Sequence, residues 1–194
     1  MAISSDVLVH FTRNKQALKG ILEDNFRLAY CKETPKISSN RTCVYVPMVS
    51  FCDIPLSQVK YHTEIYGCYG LGLTREWGLK NGLNPLTYVE PQSNFSQSLA
   101  NAVNYFLPKA RQESIQLAQD DKYFQAVLSL GEIIGNIKSY SGDYERGGKT
   151  HKNYRFYDER EWRFVPRSSE YNLLIISEET WNTPAGKQNA EQLT

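Results

Sequence analysis

The stretch FYDEREWRFV, Phe156 to Val165, sets two glutamates and two arginines among residues suited to a β-strand. Along a strand, residues two apart share a face. Glu159, Glu161 and Arg163 are therefore expected on one side, with Arg160, Trp162 and Phe164 on the other. A Glu-x-Glu step in an aromatic strand suits a carboxylate pair held in a cleft. Neighbouring carboxylates disfavour joint ionisation, which poises one of them as a base or hydrogen-bond acceptor at neutral pH. The plainer reading is solvated glutamates paired with Arg160 and Arg163 across strands. His10 is the second chemistry-bearing residue, late in VLVHFT on the face of Leu8 and Thr12. A lone strand histidine reads first as a hydrogen-bonded structural residue and second as a site residue.

Other chemistries have weaker sequence support. No GxSxG elbow occurs, and His10, His62 and His151 lack HExxH or paired spacing, so no metal is expected. A cysteine nucleophile would be Cys52 or Cys68 with His10 or His62, without any local signature. The segment YGCYGLGLTREWG is neither GxGxxG nor a Walker A loop. Its Gly70 and Gly72 allow close approach of a neighbour or a flat ligand, with tight packing the favoured reading. Between 144 and 163, Tyr144, Tyr154, Phe156, Tyr157 and Trp162 alternate with Lys and Arg, a stacking-plus-phosphate pattern. Asp143, Glu145, Asp158, Glu159 and Glu161 nearly cancel that charge. The stretch is an edge for an anionic ligand rather than a nucleic-acid groove, and there is no strong nucleic-acid signal.

These residues must be positioned by elements that the pattern partly defines. A strand over Val7–Phe11 leads to a helix over KQALKGILED, capped by Thr12 or Asn14. Residues 30–42 are polar and read as a loop, and CVYVPMVSFCDIP as strand material broken at Pro47 and Pro55. A short helix closes at Gly67; Cys68–Leu73 is a strand, Thr74 caps a short helix, and Leu86–Val89 returns as a strand. Helical patterns fill about 93–139, with Pro108 kinking or dividing the first helix. Residues 140–155 read as a loop, EYNLLIIS as a last strand, and 182–194 as a flexible C-terminal tail. Strands flanking a helical insert favour one α+β domain over 1–181.

Composition sets outer bounds. A chain of 194 residues buries enough surface to fold without disulfide or metal. Hydrophobic residues make up 41% and charged residues 22%, as in globular proteins. A net charge of +1 gives no global field for polyanions. The start MAISSDVLVHF lacks a signal-peptide pattern, and no apolar run is long enough for a membrane span. A cytoplasmic protein with reduced cysteines is expected.

The blocks LVHFT…LKGIL, PMVSFCDIPLS, YGCYGLGLTREWG with NPLTYV, and DEREWRFVP together resemble the AbiGi family of abortive phage-resistance proteins, across residues 7–166. The resemblance implies a phage-defence role as the antitoxin of a two-gene pair. The expected partner is a cognate nucleotidyltransferase-like toxin or another defence-system protein. A more distant resemblance is to ADP-ribosyltransferase folds. It implies a split β-sheet with a helical insert, NAD as substrate and a macromolecular target. In that mapping Glu161, Glu159 and His10 are catalytic, His10, Thr12 and Arg163 contact NAD, and either Tyr66 or Tyr69 stacks on the nicotinamide. A carboxylate there would stabilise the positive charge that develops as the nicotinamide bond breaks. Two readings stay open: an NAD-consuming transferase, and a non-catalytic antitoxin.

Overall fold

Strand β1 (Val7–Thr12) alternates as its sequence predicts, with Leu8 fully buried on one face and Val9 buried on the other. The computed structural model describes residues 6–38, 40–41, 43–113, 122–146, 148–167, 175–184, 186 and 188. Asn14 caps α1 (Lys15–Asp24), its Oδ1 accepting from the Ala17 amide at 2.8 Å. Next come β2 (Ala29–Glu33), β3 (Lys36–Ile37), β4 (Asn40–Arg41) and the long β5 (Val44–Cys52). A 3-10 turn at Leu56–Gln58 leads into α2 (Lys60–Tyr66), β6 (Tyr69–Thr74) and α3 (Arg75–Lys80). Thr74 caps α3 by accepting from the Trp77 amide at 3.1 Å. After β7 (Asn84–Pro85) and β8 (Thr87–Val89) come the long helices α4 (Asn94–Glu113) and α5 (Lys122–Gly135). The chain continues through β9 (Ile137–Ser139), β10 (Gly142–Arg146), β11 (Lys149–Tyr154), β12 (Glu161–Phe164), β13 (Ile176–Ser177) and α6 (Glu178–Trp181).

Among the described residues, seven strands form one sheet in the order β6-β1-β5-β12-β7, with β2 and β13 also paired to β5, all antiparallel. Apart from this sheet, β8 and β9 pair in parallel. The fold is therefore α+β. On one face, Val44, Val46 and Met48 of β5 pack under Val103, Leu130 and Ile134 of the long helices. On the reverse face, Leu8, Val49, Phe51 and Leu83 pack with Phe26, Trp77 and Trp162.

Several local expectations change. The supposed loop at 30–42 contains β2, because β5 offers it a full ladder from Ala29↔Met48 to Glu33↔Val44. Tertiary pairing overrides weak local propensity here. Pro47 does not break β5. It opposes Tyr30 of β2, while the other edge of β5 changes partner there, from β13 at Tyr45 to β12 at Val49. A missing amide is tolerated where no continuous ladder runs. Helix α4 continues undivided past position 108. The supposed loop at 140–155 is the β10–β11 hairpin. Finally, Phe156–Val165 is not one strand. Phe156–Glu159 forms a 3-10 turn, Arg160 adopts a left-handed backbone with φ 47°, and β12 starts at Glu161. Residues 170–174 of the expected last strand, and most of the tail, lie outside the described residues. The Thr183 hydroxyl, at the start of that tail, donates to the Thr180 carbonyl at 2.6 Å.

Gly70 and Gly72 lie under side chains of β1. A Cβ at Gly72 would come within 2.8 Å of Val7 Cγ1, so packing accounts for these glycines. Gly67 ends α2 with φ +114°, and a Cβ there would stand 2.1 Å from the Thr12 carbonyl oxygen. Backbone cannot move aside as a flexible side chain can. Gly67→Ala is expected to cost about 2 kcal/mol, from the strained φ and the forced shift of β1. Equilibrium urea unfolding measures it.

Candidate functional site

Glu161 is paired to Cys52, and Cys52 to Val9, so these three side chains share one face of the sheet. That face holds a cleft of about 630 Å³, walled in part by Phe11, His62, Tyr66, Tyr144 and Phe156. At its base lies a buried ionic network. Arg163, 1% exposed, donates from Nε to Glu161 at 2.6 Å, from Nη2 to Glu33 at 2.8 Å, and from Nη1 to the Gly135 carbonyl at 2.9 Å. The Gly135 carbonyl belongs to the C-terminal end of α5, where the helix dipole favours a cation. Lys138 donates to Glu159 and to Glu161, each at 2.7 Å. The Tyr66 hydroxyl donates to the other oxygen of Glu159. Lys138 also stands 5.0 Å from the centre of the Phe156 ring, within cation–π range.

The electrostatics follow from burial and pairing. Burial alone would raise the Glu161 carboxyl, but Arg163 and Lys138 outweigh it and hold it at about 2. Glu33 moves the other way, because burial outweighs its single guanidinium contact. Lys138 is held well above the ordinary ammonium range: burial opposes its charge, and Glu159, Glu161 and Glu33 overcome that. Tyr66 is pushed up by burial and by the Glu159 charge it serves, so it is a neutral donor. Three carboxylates, Glu33, Glu159 and Glu161, meet two cations, Lys138 and Arg163. Such an arrangement holds charge in place and leaves no carboxylate oxygen of Glu161 unengaged, since both accept from a cation.

The structure divides the site residues expected from sequence. It brings Glu159, Glu161, Tyr66 and Arg163 together, with Glu159 arriving from the 3-10 turn rather than the strand. It sets His10 apart. The His10 ring packs edge-on with Phe26 and Phe51, centroids 5.3 and 5.6 Å away. Phe51 opposes Trp162, the neighbour of Glu161, on the reverse face of the sheet. The strand at His10 forms part of the cleft wall, yet the ring turns away, and Nδ1 donates to the Ser50 carbonyl at 2.7 Å. Burial keeps this imidazole below its ordinary range, the Ser50 contact partly offsetting it. Thr12 and Tyr69 are paired on β1 and β6 and share the His10 face. The Thr12 hydroxyl donates to the Asn14 carbonyl at 3.1 Å. The expected convergence of His10 with Glu161 is thus replaced by divergence across the sheet.

Lys138 and Glu33 complete the network without having been singled out in the sequence. Lys138 had no local signal: it falls in the stretch read as helical to 139, whereas the helix ends at Gly135 and Ile137–Ser139 is β9, paired to β8. Glu33 had none, since it sits among the polar residues read as a loop. Cys52 is no ready nucleophile: burial first, then the Glu159 charge, pushes its thiol up to about 12. Among the described residues, no group of three or more His, Cys, Asp or Glu is arranged to hold a metal ion. No helix among them is long and apolar enough to cross a membrane.

Comparison with known proteins bears on what such a chain does. The profile of a family described as "Putative abortive phage resistance protein AbiGi, antitoxin" matches residues 24–193. A curated relative, the abortive phage resistance protein AbiGi of Lactococcus lactis subsp. cremoris, is 31% identical over 159 residues. That alignment covers 74% of this chain and 62% of the relative, so the chain spans less than two thirds of the relative's length. No solved structure matches. With most of its length matched to the profile, the chain belongs to the AbiGi family of abortive phage resistance proteins.

Proposed function

We propose that this chain is the antitoxin of an abortive-infection pair, restraining its toxin by binding rather than by transferring groups from NAD. The observation that carries this reading is the buried network at the base of the cleft. Transfer of ADP-ribose needs acting groups that reach one bound dinucleotide. Here Glu161 is neutralised by Arg163 and Lys138, while the imidazole of His10 lies across the sheet against Phe26 and Phe51. A carboxylate fixed between two cations stabilises a fold better than it stabilises a developing oxocarbenium ion. The antitoxin description of the family agrees with a binding role. The partner expected from the resemblance is a nucleotidyltransferase-like toxin.

The test uses the purified wild-type chain, with and without its cognate toxin. Incubated with NAD, it should release nicotinamide no faster than buffer, and it should co-purify with the toxin and neutralise it. Sustained nicotinamide release above the buffer rate would overturn the binding-only reading and restore the transferase.

A further inference from the structure

A second groove, of about 1540 Å³, runs between α2 and the β10–β11 hairpin. Arg13, Lys60, Lys149, Lys152 and Arg155 line it. The carboxylates in its lining are Glu64 and Asp158. Among the described lining residues, five cations less two carboxylates leave +3, or +2 once Asp143, which pairs with Lys152, is counted, against +1 for the whole chain. Lys152 is held by Asp143 at 2.6 Å, and Arg155 lies 3.7 Å from Asp158. Arg13, Lys60 and Lys149 are exposed and make no ion pair among the described residues. Like charges gathered in a concavity repel one another and raise the local concentration of anions. A partner that supplies carboxylates relieves the repulsion.

We propose that this groove docks an acidic segment of the partner protein, an inference that rests on the toxin-binding reading above. The rings of the groove favour a peptide over a nucleic-acid strand. Single-stranded nucleic acid needs open aromatic faces on which successive bases stack. Four rings line the groove: Tyr61, His62, His151 and Tyr154. His62 is stacked on Tyr66 at 4.4 Å, and His151 and Tyr154 pack with Tyr144. Tyr61, 76% exposed, makes no ring contact among the described residues. One open tyrosine beside a basic channel suits a protein interface, where a ring supplies contact area and its hydroxyl stays wet.

The experiment compares the full chain with its Arg13→Glu/Lys60→Glu/Lys149→Glu variant and a Lys80→Glu/Lys122→Glu control, all substitutions at exposed positions with fold checked by circular dichroism. The groove variant should bind the cognate toxin about tenfold or more weakly at low salt, and the control should match wild type. A polyglutamate peptide should compete with the toxin for wild type. Equal toxin binding by wild type and groove variant would overturn the groove while leaving the antitoxin reading intact. No toxin binding by wild type would remove both. An oligouridylate that binds the groove more tightly than polyglutamate would reassign it to nucleic acid.

Discussion

Arg163→Ala is expected to lower the unfolding free energy by about 3–5 kcal/mol, the range for removing one partner from a buried ion network. The side chain is fully buried and its guanidinium serves three acceptors on three different elements: Glu161 of β12, Glu33 of β2 and Gly135 of α5. Truncation leaves two carboxylates and a helix-terminal carbonyl without that cation, in a place water reaches poorly. The loss is therefore dominated by stranded charge rather than by the contacts themselves. Arg163→Lys should recover little, because one ammonium cannot reproduce a planar fork that reaches three directions. Urea unfolding at pH 7, with wild type and both variants, measures the effect. An Arg163→Ala loss below about 1 kcal/mol, the size of a surface pair, would mean the network is open to solvent.

That cost explains why the acidic strand could be recognised from sequence while its role could not. Alternation along β12 correctly put Glu161 and Arg163 on one face, opposite Trp162. Their partners come from far along the chain: Glu33 is 130 residues from Arg163, and Lys138 is 23 from Glu161. Neither separation leaves a local pattern. Alternation puts His10 on the face of Leu8 and Thr12 in its own strand, but nothing within one strand says which face of a neighbouring strand it will share. That depends on register, and the single Val9↔Cys52 pairing sets His10 beside Phe51 rather than Glu161. Helix caps are local and clearer: Asn14 and Thr74 begin α1 and α3, and Gly67 closes α2. The β2 strand and the β10–β11 hairpin were hidden because polar, charged segments were recruited as strands by partners rather than by their own propensity.

The two carboxylates held by Arg163 should respond unequally to neutralisation. Glu161→Gln is expected to cost about 3 kcal/mol at pH 7. Both Glu161 oxygens accept from cations, so a carboxamide must turn its NH₂ toward either Lys138 or Arg163, donor against donor. Glu33→Gln should cost under about 1 kcal/mol, because burying the ionised Glu33 is itself unfavourable and an amide oxygen still accepts from Arg163. The pH dependence separates them further. Glu161 is depressed to about 2 in the fold, so its contribution is complete above its unfolded value near 4.5 and is lost as pH falls toward 2. Glu33 is raised, so its contribution is present below that unfolded value and is lost as pH rises through its folded one. Glu161→Gln should therefore flatten the acid limb of the stability curve, and Glu33→Gln should flatten the opposing slope above it. Urea midpoints taken across acid to neutral pH would show this. Equal losses for the two substitutions would mean that Arg163 divides its charge evenly between them, and that the asymmetry imposed by Lys138 is absent.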